Sequence, residues 1–269
     1  MITATFGITQ EPFNRSKPTL LKQQQDFLDM IKIHAQQGGF SVIIGAPGVG
    51  KSVLREHIEA LGEGRDTIVV SITRTLHTYF NILKQLAEAM KVEANTNEME
   101  KTLIQAAVRH AQNHKKLYTV IDEAHLLEMA TLRKLRLLFD RFPKKHNLVL
   151  LGQNDLLYFL SMLTNEDIKS RITYSQALLT LNDQDMLEYI HSELESVRLG
   201  VNTFDDSAAE LIIRSAQGNL RLCRNLCYGS LIEACRGGQR IVGISHVNAV
   251  LIQPHWRSHE QLIKQQVKE

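Results

Sequence analysis

The sequence predicts an α/β domain with a parallel sheet flanked by helices, followed by a small all-helical domain. Three observations carry this reading. Apolar runs of strand length alternate with segments whose apolar residues recur at helical spacing, an order that implies parallel strands joined by helical crossovers. The strand signals stop at Asn182, and the remaining chain reads as helices punctuated by Gly200, Gly218 and Gly237-Gly238. With 269 residues, 43% of them hydrophobic, and five prolines, the chain is long enough for one such domain and a smaller partner.

The elements run in order. A short extended leader precedes a helix from Thr19 to Gln37, with Leu20, Leu21, Phe27, Leu28, Ile31 and Ile33 at helical spacing and Gly38-Gly39 as its stop. Phe40 to Ile44 is the first strand, Val53 to Leu61 a helix, and Thr67 to Ile72 the second strand. Helices from Leu76 to Met90 and from Glu98 to Asn113 flank a polar turn at 93–97, and Leu117 to Ile121 is the third strand. A helix from Leu126 to Phe142, a strand from Leu148 to Gly152, a helix from Leu156 to Leu163 and a strand from Ile172 to Leu179 complete the alternation. Helices at Asp183–Val197, Asp206–Ala216, Asn219–Cys235 and Ser245–Ile252 form the second part. The expected organisation is a leader (1–18), the α/β domain (19–181), a helical lid (182–253) and a tail (254–269), where Trp256 would pack onto the lid.

Between the first strand and the next helix lies Gly45-Ala46-Pro47-Gly48-Val49-Gly50-Lys51-Ser52, a complete Walker A phosphate loop. Its glycines allow successive backbone N–H groups to turn inward around a phosphate, and the following helix, opening at Val53, adds its positive end. Lys51 would reach the β and γ oxygens, and Ser52 would offer a hydroxyl to Mg²⁺. Strand before and helix after is the context such a loop needs, so the motif implies binding of a nucleoside triphosphate.

The third strand ends in Asp122-Glu123, as a Walker B motif does. Asp122 would hold Mg²⁺ directly or through water, and Glu123 would polarise the attacking water. The pair therefore implies hydrolysis as well as binding. The alternative is that both acids only cap the next helix.

With these motifs in place the chain resembles the AAA+ ATPases, and within them the general-secretion-pathway A-type ATPases and the transposon-encoded target selectors that include the phage Mu B protein. The residues that carry the likeness are Phe6-Gly7-Ile8-Thr9-Gln10-Glu11-Pro12-Phe13, the Walker A loop, Asp122-Glu123-Ala124-His125, Gly152-Gln153-Asn154-Asp155-Leu156 and Gly218-Asn219-Leu220-Arg221. By that resemblance Gln153, or alternatively Asn154, is sensor 1, and a helix N-cap at Asn154 or Asp155 is the plainer reading. Arg171, before the last strand, matches an arginine finger that reaches the γ-phosphate on a neighbouring subunit; the plainer reading is a surface arginine paired to an acid. Arg221 matches sensor 2, with Arg224 as a substitute one turn on.

The resemblance also implies partners. Target-selector ATPases assemble as homo-oligomers, in a ring or helical filament, on double-stranded DNA and recruit or stimulate a transposase. The segments placed to face DNA are Thr73 to Thr78, with Arg74, Thr75, His77 and Thr78, and the turn with Thr96 and Asn97. These are one cation and short donors suited to phosphate oxygens, so binding would be sequence-independent and salt-sensitive. Helix capping is the plainer role of such residues. Two alternatives stand beside this expectation: a protein-remodelling ATPase of the secretion type, and a nucleotide-switched module that binds a protein partner without DNA.

Composition narrows the remainder. A net charge of +2 neither demands nor excludes nucleic acid. No run approaches a membrane span and the start lacks the pattern of a signal peptide, so the expectation is a cytoplasmic protein without a membrane partner. Cys223, Cys227 and Cys235 are too clustered for a disulfide framework and suit the faces of a helix.

Overall fold

In a computed structural model of the chain, the structure describes residues 1–14, 19–73, 78–93 and 95–251. The chain forms two compact units, one of Leu20–Leu179 and one of Met1–Thr19 with the chain from Thr180 onward.

In the first unit, strands β1 (Gly39–Gly45), β2 (Thr67–Ile72), β3 (Lys116–Ile121), β4 (His146–Gly152) and β5 (Tyr174–Leu178) form one sheet in the order β2-β3-β4-β1-β5. Every pairing is parallel. Central β4 is buried at every position, whereas edge strands β2 and β5 are only partly covered, as expected where helices pack on both faces. Alternation along the strands divides the core. Val42, Ile44, Leu117, Ile121, Leu148 and Leu150 face one apolar cluster, and Ile43, Tyr118, Val120, Val149 and Leu151 face the other.

Helix α1 (Ile2–Phe6) belongs to the second unit, and α2 (Lys22–His34) opens the first. Gln24, Phe27, Leu28 and Ile31 give α2 one buried face at helical spacing. Helix α3 (Lys51–Ala60) follows the phosphate loop and joins α2 in covering one side of the sheet. Helices α4 (Tyr79–Ala89), α5 (Met99–Gln112), α6 (Met129–Phe139), α7 (Asn154–Ser161) and α8 (Glu166–Lys169) supply the other cluster. The helix expected from Leu126 is shorter than its apolar spacing suggests, because Ala124–Leu126 forms a 3-10 turn and α6 starts only at Met129.

The second unit contains α9 (Asp183–Ser196), α10 (Asp206–Ala216), α11 (Leu220–Arg236) and α12 (Ile244–Leu251). Side chains of Asn182, Asp205 and Asn219 accept from backbone N–H groups at Asp185, Ala208 and Leu222, which fixes where three of these helices begin. Cys223 and Cys227 lie on the buried face of α11 and Cys235 is half-buried, all three as free thiols.

The leader differs from the simple extended segment expected of it. Ile2–Phe6 is helical, and Phe13 is buried with edge-on contacts to Tyr189 and Phe204. The Phe13 N–H donates to the buried Glu193 carboxylate at 3.0 Å, Arg224 donates to the Phe13 carbonyl, and Tyr228 donates to Glu11 at 2.8 Å. These long-range contacts have no periodic signature in the sequence. The expected tail at 254–269, with Trp256, lies outside the described residues.

No helix among the described residues is long and apolar enough to cross a membrane.

Candidate functional site

The site lies at the carboxyl ends of the strands, where open parallel sheets place ligands. Strand β1 delivers Gly45 into the phosphate loop, and α3 begins at Lys51. Gly48 and Gly50 have φ of 85° and 104°, a left-handed backbone that glycine adopts without steric cost. Ala46, Pro47 and Val49 complete the loop, with Val49 packed into the core beneath it. The buried Lys51 ammonium lies against the loop's own backbone, 2.7 Å from the Gly45 carbonyl and 3.0 Å from that of Ala46. Ser52 and Val53, half-buried, occupy the first turn of α3, a ten-residue helix whose N-terminal end favours an anion.

Gln24 buttresses the loop from a position its sequence did not advertise. Almost fully buried on α2, it donates to the Gly50 carbonyl at 3.2 Å while accepting from the Leu21 N–H at 2.9 Å. Both ends of its amide are thus satisfied, which suits a buried polar side chain.

Between the β1 and β3 ends lies β4, so the topology places Gln153 between the phosphate loop and the Walker B acids. Asp122 is buried at the tip of β3, where its N–H donates to the Ile72 carbonyl at 3.0 Å and its carboxylate accepts the Glu123 N–H at 2.9 Å. Arg55, on α3, brings Nη1 within 3.6 Å of the same carboxylate and so ties the helix behind the loop to the Walker B strand. This contact was not legible in sequence, because a lone arginine four residues beyond the Walker lysine carries no motif.

Glu123 takes a left-handed backbone, φ 51°, that turns it off the strand, and its side chain is 43% exposed, accessible to solvent as a base for water must be. Asp122 and Glu123 therefore differ in environment despite being neighbours: one is buried and bonded, the other open. Gln153 occupies the position before α7 and directs its amide to His125, with Nε2 to Nε2 at 3.1 Å. Asn154 and Asp155 are exposed in the first turn of α7, so Gln153 is the member of this segment that contacts His125.

Arg171 lies elsewhere. It precedes β5 at the opposite, amino end of the sheet, 51% exposed, and its Nη1 contacts Asp140 Oδ1 at 2.7 Å. Lys51, Asp122, Glu123 and Gln153 are thus brought together within this unit, and Arg171 is not. An arginine at that end can reach a γ-phosphate only on another copy. Arg221 is exposed in the first turn of α11, in the second unit, whereas Arg224 is committed to the Phe13 carbonyl.

Of the residues expected to face DNA, Arg74, Thr75 and His77 lie outside the described residues. Thr78 is the N-cap of α4 and accepts the Asn81 N–H at 3.4 Å. Thr96 and Asn97 are exposed in a 3-10 turn, and Thr96 lines a cleft with Lys84, Glu88, Glu93 and Glu98. Three carboxylates beside one ammonium make that cleft a poor phosphate surface.

Residues 33–160 match the sequence pattern of an AAA domain. Over 87–90% of this chain and 69–71% of theirs, structures of the Aeropyrum pernix ORC2 protein superpose with TM-scores of 0.68 and 0.69 at 13–14% identity. The fold is that of the AAA+ P-loop proteins. The same AAA+ architecture is found in the Aeropyrum pernix ORC1 protein, solved in complex with DNA, with a TM-score of 0.65 at 17% identity over 86% of this chain and 65% of that one. General secretion pathway protein A of Aeromonas hydrophila is 27% identical over 256 residues. The alignment covers 90% of this chain and 46% of that relative, so the chain spans about half its length.

Proposed function

We propose that this AAA+ chain binds and hydrolyses ATP and that the nucleotide controls its self-assembly on double-stranded DNA, where it regulates transposition by recruiting or activating a transposase. The observation that carries the ATPase part is the convergence of Lys51, Asp122, Glu123 and Gln153 at adjacent strand ends. Hard oxygen donors suit Mg²⁺, with the Ser52 hydroxyl and the Asp122 carboxylate as its protein ligands. Bound there, Mg²⁺ would neutralise charge on the β and γ oxygens.

The chain's own groups supply the rest. The loop N–H groups of residues 45–53 hold the phosphates, Lys51 leaves its loop carbonyls for phosphate oxygens, and Glu123 takes the proton of the attacking water. Gln153 orients that water. Arg221 reports nucleotide state to the second unit, and Arg171 completes the site of a neighbouring copy in a ring or filament.

DNA enters this reading through the basic and short polar residues of the segment after β2, Arg74, Thr75, His77 and Thr78, and the acidic surroundings of Thr96 weigh against a contact at Thr96 and Asn97. The DNA-bound ORC1 relative in fold supports the general plan. The place of action would be the cytoplasm, where ATP and DNA are both available.

A second reading is favoured by a different observation, the 27% identity to General secretion pathway protein A across 90% of this chain. In that reading the same ATP cycle remodels a protein partner and DNA plays no part.

Sedimentation of the chain with and without duplex DNA, using ATP and a non-hydrolysable analogue across a salt series, separates the two. Analogue-dependent, salt-sensitive co-sedimentation supports the DNA reading. Absence of DNA binding in every nucleotide state sinks it and leaves the protein-remodelling reading. Glu123→Gln is expected to retain the assembled state in ATP while turnover stops.

A further inference from the structure

His125 lies two residues beyond the Walker B pair, yet the hydrolytic roles assigned to Lys51, Asp122, Glu123 and Gln153 leave it unused. Its ring is 10% exposed, wedged between the two groups that would act on the attacking water. Nδ1 lies 3.5 Å from Glu123 Oε2, Nε2 lies 3.1 Å from Gln153 Nε2, and the Gln153 N–H approaches Nδ1 at 3.4 Å.

The placement is built rather than incidental. The 3-10 turn Ala124–Leu126 brings the ring under the end of β4, and its close packing needs a glycine there. A Cβ on Gly152 would stand 3.3 Å from the His125 backbone nitrogen and 2.8 Å from Leu156 Cδ2. A buried imidazole needs partners at both nitrogens, and here those partners are the base and the sensor.

We propose that His125 is a positioning residue that couples the Glu123 carboxylate to the Gln153 amide, so that the two address the same water together. Nδ1 faces both the Glu123 carboxylate and the Gln153 N–H while Nε2 meets the Gln153 side-chain amide, so one ring holds both side chains at once. One end of the amide is then held against the ring and the other is left free for the water. Without the ring, Glu123 rotates freely at its exposed position and Gln153 loses its orientation. This inference rests on the proposed roles of Glu123 and Gln153 in hydrolysis.

The test is a double-mutant cycle on ATP turnover by the full chain, read beside affinity for a fluorescent ATP analogue and the thermal midpoint. His125→Ala should lower kcat by about tenfold or more, with KM and analogue affinity held within about twofold, the pattern of an interaction realised only at the transition state. Combined with Gln153→Ala or with Glu123→Gln, it should cost almost nothing further, because each pair acts as a unit. His125→Asn and His125→Gln place an amide near one ring nitrogen only, so neither should restore full kcat.

Turnover by His125→Ala within about twofold of the parent overturns the proposal, as do effects additive with those of Gln153→Ala. A fall in analogue affinity or thermal midpoint that accounts for the lost rate assigns the ring to packing and overturns it too, and His125→Asn serves as the readout if the alanine variant does not fold. Normal turnover by Glu123→Gln instead removes the underlying assignment of the base. Loss of turnover in that variant beside a normal His125→Ala removes the coupling alone.

Discussion

The two ends of the sheet are built differently. At the carboxyl end the charged and ring side chains beside the two acids stand apart, 3.6 Å from Arg55 to Asp122 and 3.5 Å from His125 to Glu123, although Lys51 closes on its own loop at 2.7 Å. At the amino end the charged groups close tightly. Arg171 meets Asp140 at 2.7 Å, and Arg136 meets Asp167 at 2.8 Å and Asp140 at 3.4 Å. Gly38 and the buried His146 lie at this end as well, each fitted closely to its neighbours. Loose contacts suit groups that must tighten around a reacting phosphate, whereas short ones hold a surface in shape until a partner replaces them.

Breaking the carboxyl end should have the largest effect. Lys51→Ala removes the one ammonium inside the phosphate loop, and kcat/KM for ATP is expected to fall by about 10³ or more, measured by steady-state hydrolysis. Fold stability is expected to change far less, so an intact urea midpoint beside lost turnover would mark the carboxyl end as functional. Unchanged hydrolysis would remove Lys51 from the site.

Arg171→Ala sharpens the comparison from the other side. In the assembled state turnover should drop by about 10³, while ATP affinity of the unassembled chain is unaltered. Its pair with Asp140 is half exposed, so the stability cost should stay below about 1 kcal/mol. Wild-type turnover at concentrations where the parent assembles would reduce Arg171 to an ordinary surface ion pair.

Gly38→Ala should damage stability instead of chemistry. Gly38 has φ 84°, and an added Cβ would lie 1.7 Å from the Lys144 carbonyl oxygen, so the α2–β1 turn must move away from the start of β4. A loss of roughly 3 kcal/mol or more in denaturant unfolding is expected. A loss under about 1 kcal/mol would show that the turn yields easily.

The smallest effect concerns His146, whose ring packs between Phe139 and Phe142 and meets the Thr119 hydroxyl at 3.0 Å. Burial pulls its pKa from 6.5 down to about 3, so the folded chain holds it neutral while the unfolded chain protonates below 6.5. Its stabilising contribution is therefore complete above pH 6.5 and declines as pH falls toward 3, by up to about 1.4 kcal/mol per pH unit. Between pH 6.5 and 5 the unfolding free energy of His146→Gln should fall less steeply than that of the parent. Parallel slopes would mean that the ring is hydrated in the folded chain.

How much was legible depended on whether a feature was local. The phosphate loop and Asp122-Glu123 could be read because each is a run of consecutive residues whose function follows from backbone geometry at one turn. The five strands were legible as apolar runs, and α10 at Asp206–Ala216 matched its expected limits, because Asp205 caps it and its apolar spacing is regular. Helix ends set by packing were less so, as the late start of α6 shows. That Arg224 bonds the Phe13 carbonyl could not be read in sequence, since the two residues are far apart along the chain.

By itself, then, the sequence determined the alternation of strands and helices, the helical second part and the chemistry available at two strand ends. Hydrophobic period and motif spacing are properties of neighbours along the chain. Tertiary structure alone decided that Gln24 supports the phosphate loop, that Arg55 meets Asp122, that His125 lies between Glu123 and Gln153, and that the leader packs with the lid helices. Each of those depends on one or a few contacts between residues distant in sequence, and such contacts leave no periodic trace for a sequence to display.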